Sequence, residues 1–134
     1  MDMKSIEKWI GSVSDLPGLG GCRLIKSDEQ TELPYPVEAP LICFCREGTD
    51  RMSFLLGSED DFFGSEKLRV TVITPEKQGG GHCEETALLL CRALLNNDAG
   101  RNICSVGVEG CRYDKTIFAY KVVMRFTLRE HTGG

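Results

Sequence analysis

The sequence predicts an α+β domain, a mostly antiparallel sheet of about four to six strands packed against two helices, one N-terminal and one spanning roughly residues 81–96. Three observations predict it. Gly79–Asn96, GGGHCEETALLLCRALLN, places Cys83, Ala87, Leu90, Cys91 and Leu94 at the spacing of one helical face, and Leu88 and Leu95 widen that stripe. Thr116–Arg129 alternates, with Phe118, Tyr120, Val122, Met124, Phe126 and Leu128 on one side and Lys121, Arg125 and Arg129 on the other, beside Ile117, Ala119, Val123 and Thr127. The segments on either side of the helix, Leu68–Thr74 and Arg101–Glu109, are rich in β-formers. An apolar helix stripe must be buried, and here it has a sheet to lie on.

In chain order, Met1–Leu16 reads as a short helix with Ile6, Trp9, Ile10 and Val13 as its stripe and Lys4, Glu7 and Lys8 facing away. Asp15-Leu-Pro17-Gly18 and Gly20-Gly21 stop it. Trp9 reads as its anchor on the body of the domain. Cys22–Lys26 is a first strand, and Ser27–Pro40, with Pro34, Pro36 and Pro40, is an extended loop long enough to reach a neighbouring subunit. Leu41–Arg46, LICFCR, is apolar on both faces, as a central strand is. Glu47–Asp50 is turn chemistry, with Arg51–Leu56 returning as its hairpin partner.

Gly57–Gly64, GSEDDFFG, reads as a surface loop that tucks one of its aromatics, Phe62 and Phe63, under itself, or else as an exposed apolar tip with Asp60 and Asp61 as a charged rim that becomes buried on assembly. Leu68–Thr74 alternates cleanly as a strand, and Pro75–Gly81 links it to the long helix, whose first turn carries Glu84 and Glu85 against the positive end of the helix dipole. Arg101–Glu109 is a strand, Gly110–Thr116 a turn about Asp114-Lys115, and Glu130–Gly134 a polar tail.

Composition narrows the function. The 134 residues, 41% of them hydrophobic, suffice for one core and show no second domain, so 1–134 reads as a single unit. A net charge of -4 argues against sequence-specific nucleic-acid binding. No apolar run is long enough to span a membrane, and MDMKSIEKWI lacks the apolar region of a signal peptide, so synthesis is expected to be cytoplasmic. The seven cysteines cannot all pair within the chain, and most fall in expected strands or in the helix, where a reduced thiol acts as a small apolar side chain. Cys43-x-Cys45 points two thiols to one strand face, but that spacing is not the CxxC knuckle of structural zinc.

The sequence holds no convincing catalytic constellation, and no cofactor or metal ligand set. His82 beside Cys83 suggests a thiolate–imidazole pair, yet adjacent helical residues point about 100° apart, and no orienting acid accompanies them. The Gly79–Gly81 run before a helix resembles a phosphate cradle only loosely: the P-loop Lys-Ser/Thr is missing, and Glu84 and Glu85 repel anions. Glu59, Asp60 and Asp61 lack EF-hand spacing.

The C-terminal half, a strand ending in Pro75, a glycine-rich link, GHCEETALLLCRALL, and then ICSVGVEGCRYDKTIFAYKVVMRFTLRE, resembles small tail proteins of phages and prophages of Gram-positive bacteria. The resemblance lies in the V-x-x-x-x-Y-D-x-x-x-x-A pattern of Val108, Tyr113, Asp114 and Ala119, the long strand after it, and the PYPVEAPLICF approach to the first central strand. It implies a non-catalytic virion protein of the tail-terminator or tail-completion type, forming a homo-oligomeric ring, commonly a hexamer, at the head-proximal end of the tail. The implied partners are copies of itself, the tail tube protein and the head–tail connector. The implied location is the bacterial host cytoplasm during assembly and the virion afterwards. On this reading Tyr35 in the long loop, Asp60, Asp61, Phe62 and Phe63, and the row Lys121, Arg125 and Arg129 become interface residues. The alternatives are a head–tail connector or minor capsid protein, a small-ligand-binding regulatory module using the GGGH loop, and an enzyme using Cys83.

Overall fold

The computed structural model describes residues 3–14, 22–26, 37–54, 62–96 and 103–131. The elements run α1 (Met3–Ser14), β1 (Arg23–Lys26), β2 (Leu41–Phe54), β3 (Phe62–Pro75), a 3-10 turn (Glu76–Gln78), α2 (Gly79–Asn96), β4 (Ile103–Val108), β5 (Arg112–Asp114) and β6 (Ala119–His131). The sheet order is β1-β2-β3-β6-β4, and β5 also pairs with β6. Among the described strands only β1–β2 is parallel; the other pairings are antiparallel. The fold is α+β, as the alternation of the strands and the helical period of α2 require.

The core lies between the sheet and its helices. Ile42 and Phe44 of β2, Leu68, Val70 and Val72 of β3, and Val122, Met124, Phe126 and Leu128 of β6 meet Cys83, Ala87, Leu90, Cys91 and Leu94 of α2. Trp9 and Ile10 bring α1 into the same cluster, and the Trp9 and Phe126 rings meet edge-on at 6.2 Å. Trp9 is therefore the anchor its stripe suggests, while Glu7 and Lys8 are exposed. On the opposite face of the sheet Val37, Leu41, Cys43, Ile73 and Ala119 form a second, smaller cluster, with Ile117 packed against it. β2 is apolar on both faces for this reason.

Several expectations are corrected. Glu47–Asp50 is not a turn and Arg51–Leu56 is not its return partner, because β2 runs unbroken to Phe54. The glycine is absorbed instead by an irregularity in the ladder between Arg46 and Gly48, where an inserted residue bends a strand without ending it. Residues 55–61, Asp60 and Asp61 among them, lie outside the described residues. Phe62 and Phe63 belong to β3 rather than to a loop tip: Phe62 pairs with Phe54, and Phe63 lies between Ser53 and His131.

The Pro75–Gly81 link is shorter than expected. Gly79, at φ 82°, turns the chain from the 3-10 segment directly into α2, so Gly80 and Gly81 are helical. Glu84 and Glu85 consequently miss the first turn. β5 occupies the middle of the expected Gly110–Thr116 turn, and the real turn is Lys115–Phe118, with Phe118 at φ 50° and largely exposed. Phe118 thus leaves the apolar row of β6 to which its spacing assigned it. Cys104 is exposed and Cys22, Cys45 and Cys111 are only partly covered, so the buried thiols are Cys43, Cys83 and Cys91.

Candidate functional site

β4 and β5 behave as one outer strand interrupted by a bulge. Val108 pairs with Met124 and Arg112 with Lys121, so Glu109, Gly110 and Cys111 face only Val122 and Val123. Glu109 N donates to Val123 O at 2.9 Å, which keeps the bulge attached to β6. Among the described residues β4 pairs with β6 alone, leaving its outer edge without a ladder. Such an edge is a ready template for another strand.

Beside that edge runs an apolar strip. Leu88 (46% exposed) and Leu95 (41%) stand seven residues apart on the flank of α2, and Val108 (43%) lies on the neighbouring strand. The sequence stripe places both leucines in the core, but α2 presents them to the side. Its buried face is already filled by Cys83, Ala87, Leu90, Cys91 and Leu94, which leaves no sheet surface for a wider stripe. Between α2 and the bulge lies a shallow groove of ≈ 230 Å³, lined by Glu84, Leu88, Val108, Glu109, Gly110 and Val122.

The face of the sheet opposite α2 carries paired charge. Arg125 Nε lies 3.3 Å from Glu47 Oε1, its Nη1 donates to Glu109 Oε1, and Arg69 Nη1 lies 3.5 Å from the same Glu47 oxygen. Arg69 Nη2 also donates to Cys45 Sγ at 3.2 Å, so the Cys43-x-Cys45 spacing delivers one buried thiol and one held by a guanidinium. Lys121 Nζ lies 3.0 Å from Asp114 Oδ2. Lys121 and Arg125 therefore have partners within the chain. The Arg129 backbone pairs with Ser65 in the ladder. Tyr35 lies outside the described residues. The proposed interface residues are thus not gathered into one patch among the described residues, and Glu47, Glu109, Leu88 and Leu95 were not among them. The i, i+7 spacing of the two leucines was the available signal.

Asp114 shapes the β5–β6 turn. Its Oδ1 accepts from Thr116 N at 3.0 Å and from the Thr116 hydroxyl, and Lys121 holds the other oxygen. These donors, Thr116 first and Lys121 next, hold the carboxyl near 2, below the usual carboxylate range. A depressed pKa contributes stability above the unfolded value of about 3.9, and that stability is lost as the pH falls through the folded value. Asp114→Ala should therefore cost on the order of 1 kcal/mol at neutral pH, the exposed setting reducing a charge-assisted contact to this size. The gap between the variant and the parent should close between about pH 4 and pH 2. Urea midpoints of the two proteins across that range check it, and a constant gap would remove the carboxylate from the account.

Among the described residues no three of His, Cys, Asp and Glu converge as a metal site, and no helix is long and apolar enough to cross a membrane. Compared with known proteins, the chain matches no protein-family model and no curated sequence.

Proposed function

We propose that the chain is a non-catalytic structural subunit that closes with copies of itself into a ring of the phage tail-terminator type, joining tail tube to head connector. The observation that carries this reading is the half-exposed strip of Leu88, Leu95 and Val108 running beside the unladdered edge of β4. Exposed apolar surface bordered by polar groups is the ordinary mark of a protein–protein contact, and an open strand edge adds backbone donors and acceptors to it. A closed ring needs two different patches that fit each other. The second patch in this proposal is the end of β3 that carries Phe62 and Phe63; Tyr35, Asp60, Asp61, Lys121, Arg125 and Arg129 are proposed as further, separate contacts.

Light scattering behind a sizing column, in reducing buffer and over a wide concentration range, tests the reading. The expected result is a discrete closed species, a hexamer being the form the resemblance implies. Leu88→Ser with Leu95→Ser should shift it to monomer, and Phe62→Ala with Phe63→Ala should weaken it, both with the circular dichroism spectrum of the parent. A monomer at every concentration, unchanged by purified tail tubes and connectors, would sink the proposal. Binding to connectors but not to tubes would favour the connector or minor capsid reading.

A further inference from the structure

Two thiols that the proposed assembly does not use stand together beneath the start of α2. Cys83 Sγ is fully buried and donates to Val72 O at 3.6 Å, and burial first, with the neighbouring Cys111 thiol after it, pushes its pKa up. Cys111 sits in the bulge between β4 and β5, only partly covered, next to Gly110 at the lip of the groove. The approach is close by construction. A Cβ on Gly80 would stand 3.5 Å from Cys111 Sγ and 3.3 Å from the Tyr120 ring, so the helix comes down onto Cys111 through a residue without a side chain. Gly80 and Cys83 are three apart, on one helical face. The dithiol is thus one inner and one outer sulfur, held by α2 on one side and by the edge strand on the other.

A further polar group faces the inner sulfur. The hydroxyl of Thr74, the penultimate residue of β3, is wholly buried and has no hydrogen-bond partner among the described residues. It lies beside Cys83, where a donor favours the thiolate over the thiol. Burial works the other way and pushes the Cys83 thiol up to about 11, so the resting pair is protonated at neutral pH. A pair in that condition reacts slowly and stoichiometrically, unlike a catalytic peroxidase thiol.

We propose that Cys83 and Cys111 form a dithiol modification site that a hydroperoxide converts into a disulfide, with Cys111 the sulfur attacked first. The Cys111 thiolate attacks the distal oxygen of the hydroperoxide and the O–O bond breaks, giving a sulfenic acid and an alkoxide (hydroxide when the oxidant is hydrogen peroxide) that takes up the proton lost by Cys111. The Cys83 sulfur then attacks the sulfenic sulfur, the S–O bond breaks, and the Cys83 proton leaves with the hydroxyl as water. In sum, two thiols and one hydroperoxide give one disulfide, one alcohol or water, and one further water. The bridge fastens the bulge of the edge strand to α2 and closes the chain between residues 83 and 111, which restricts the unfolded state. This inference does not depend on the ring reading.

The test uses the full chain carrying Cys104→Ser, because Cys104 is exposed on β4 and would crosslink copies. Native protein is treated with excess hydrogen peroxide, alkylated, digested and analysed by mass spectrometry. The expected product has lost two hydrogens, yields one joined peptide pair holding Cys83 and Cys111, melts at a higher temperature, and reverts with dithiothreitol. Cys83→Ser should leave a sulfenic acid on Cys111 that a cyclic 1,3-dione traps, and Cys111→Ser should give no bridge. Full alkylation of both cysteines after peroxide treatment, or a bridge joining either of them to a different cysteine, overturns the proposal. The mapping on the parent sequence at Cys83 and Cys111 decides this even where a serine variant fails to fold.

Discussion

Phe126→Ala is expected to cost ~3–5 kcal/mol of folding stability. Phe126 is among the largest fully buried side chains, and it joins the three parts of the main core. It projects from β6 toward the helices, packs within the cluster that contains Leu90 and Leu94 of α2, and receives the edge of Trp9 from α1. Truncation removes the transfer energy of the ring, leaves a cavity that two helices and a sheet cannot jointly close, and takes away the Trp9 ring contact, which is worth about 0.5–1.5 kcal/mol beyond its area. Domains of this size hold only about 5–15 kcal/mol in total, so the variant should be near the edge of folding. Urea denaturation followed by both far-UV circular dichroism and tryptophan fluorescence measures it, Trp9 being the single tryptophan. Trp9 emission should move to the red before global unfolding, since α1 loses its main aromatic support. A loss under about 1 kcal/mol would mean that α1 and α2 can repack over the hole, against the close packing that cores of this kind show.

The parts of the fold that could be read from sequence are those where a period and a burial demand agree. α2 is such a part: its C-terminal end follows from the terminal asparagines, and its inner face from the recurrence of Cys83, Ala87, Leu90, Cys91 and Leu94. β6 is another, and its even-numbered row from Val122 to Leu128 is buried without exception. The misreadings arise where local chemistry was overruled by the ladder. Glu47-Gly48-Thr49-Asp50 has a turn composition, yet the long pairing of β2 with β3 carries the chain through it at the cost of two irregularities, at Arg46/Gly48 and Asp50/Ser53. Phe118 continues the alternation of β6 in sequence, but the Asp114 side chain organises a four-residue turn, Lys115–Phe118, and β6 begins only at Ala119. The ion network is invisible in sequence for a different reason. Glu47, Arg69, Glu109 and Arg125 come from four separate segments, and only the sheet order β2-β3-β6-β4 brings them to one face.

Leu90 and Leu88 should respond very unequally to the same truncation. Both belong to one leucine run and one expected stripe, yet Leu90 is fully buried between α2 and the sheet while Leu88 is 46% exposed on the flank. Leu90→Ala should cost ~2–5 kcal/mol, the range for a buried leucine whose surroundings relax only in part. Leu88→Ala should stay within about 0.5 kcal/mol of the parent, because alanine keeps the helix propensity and little water-free contact is lost. Urea titrations of both variants as monomers at low concentration give the comparison. Equal losses would mean that α2 is rotated toward β4 and that the strip is core rather than surface. The unequal result bears directly on assembly: a leucine that contributes almost nothing to the fold, set beside Leu95 and Val108 at an open strand edge, has its apolar surface left for a partner. If Leu88→Ala then shifts the oligomer distribution while leaving the monomer's stability alone, folding and association are separated by two residues of one helix. That separation is what a subunit made to be assembled after it folds requires, since its contact residues must be dispensable to the monomer.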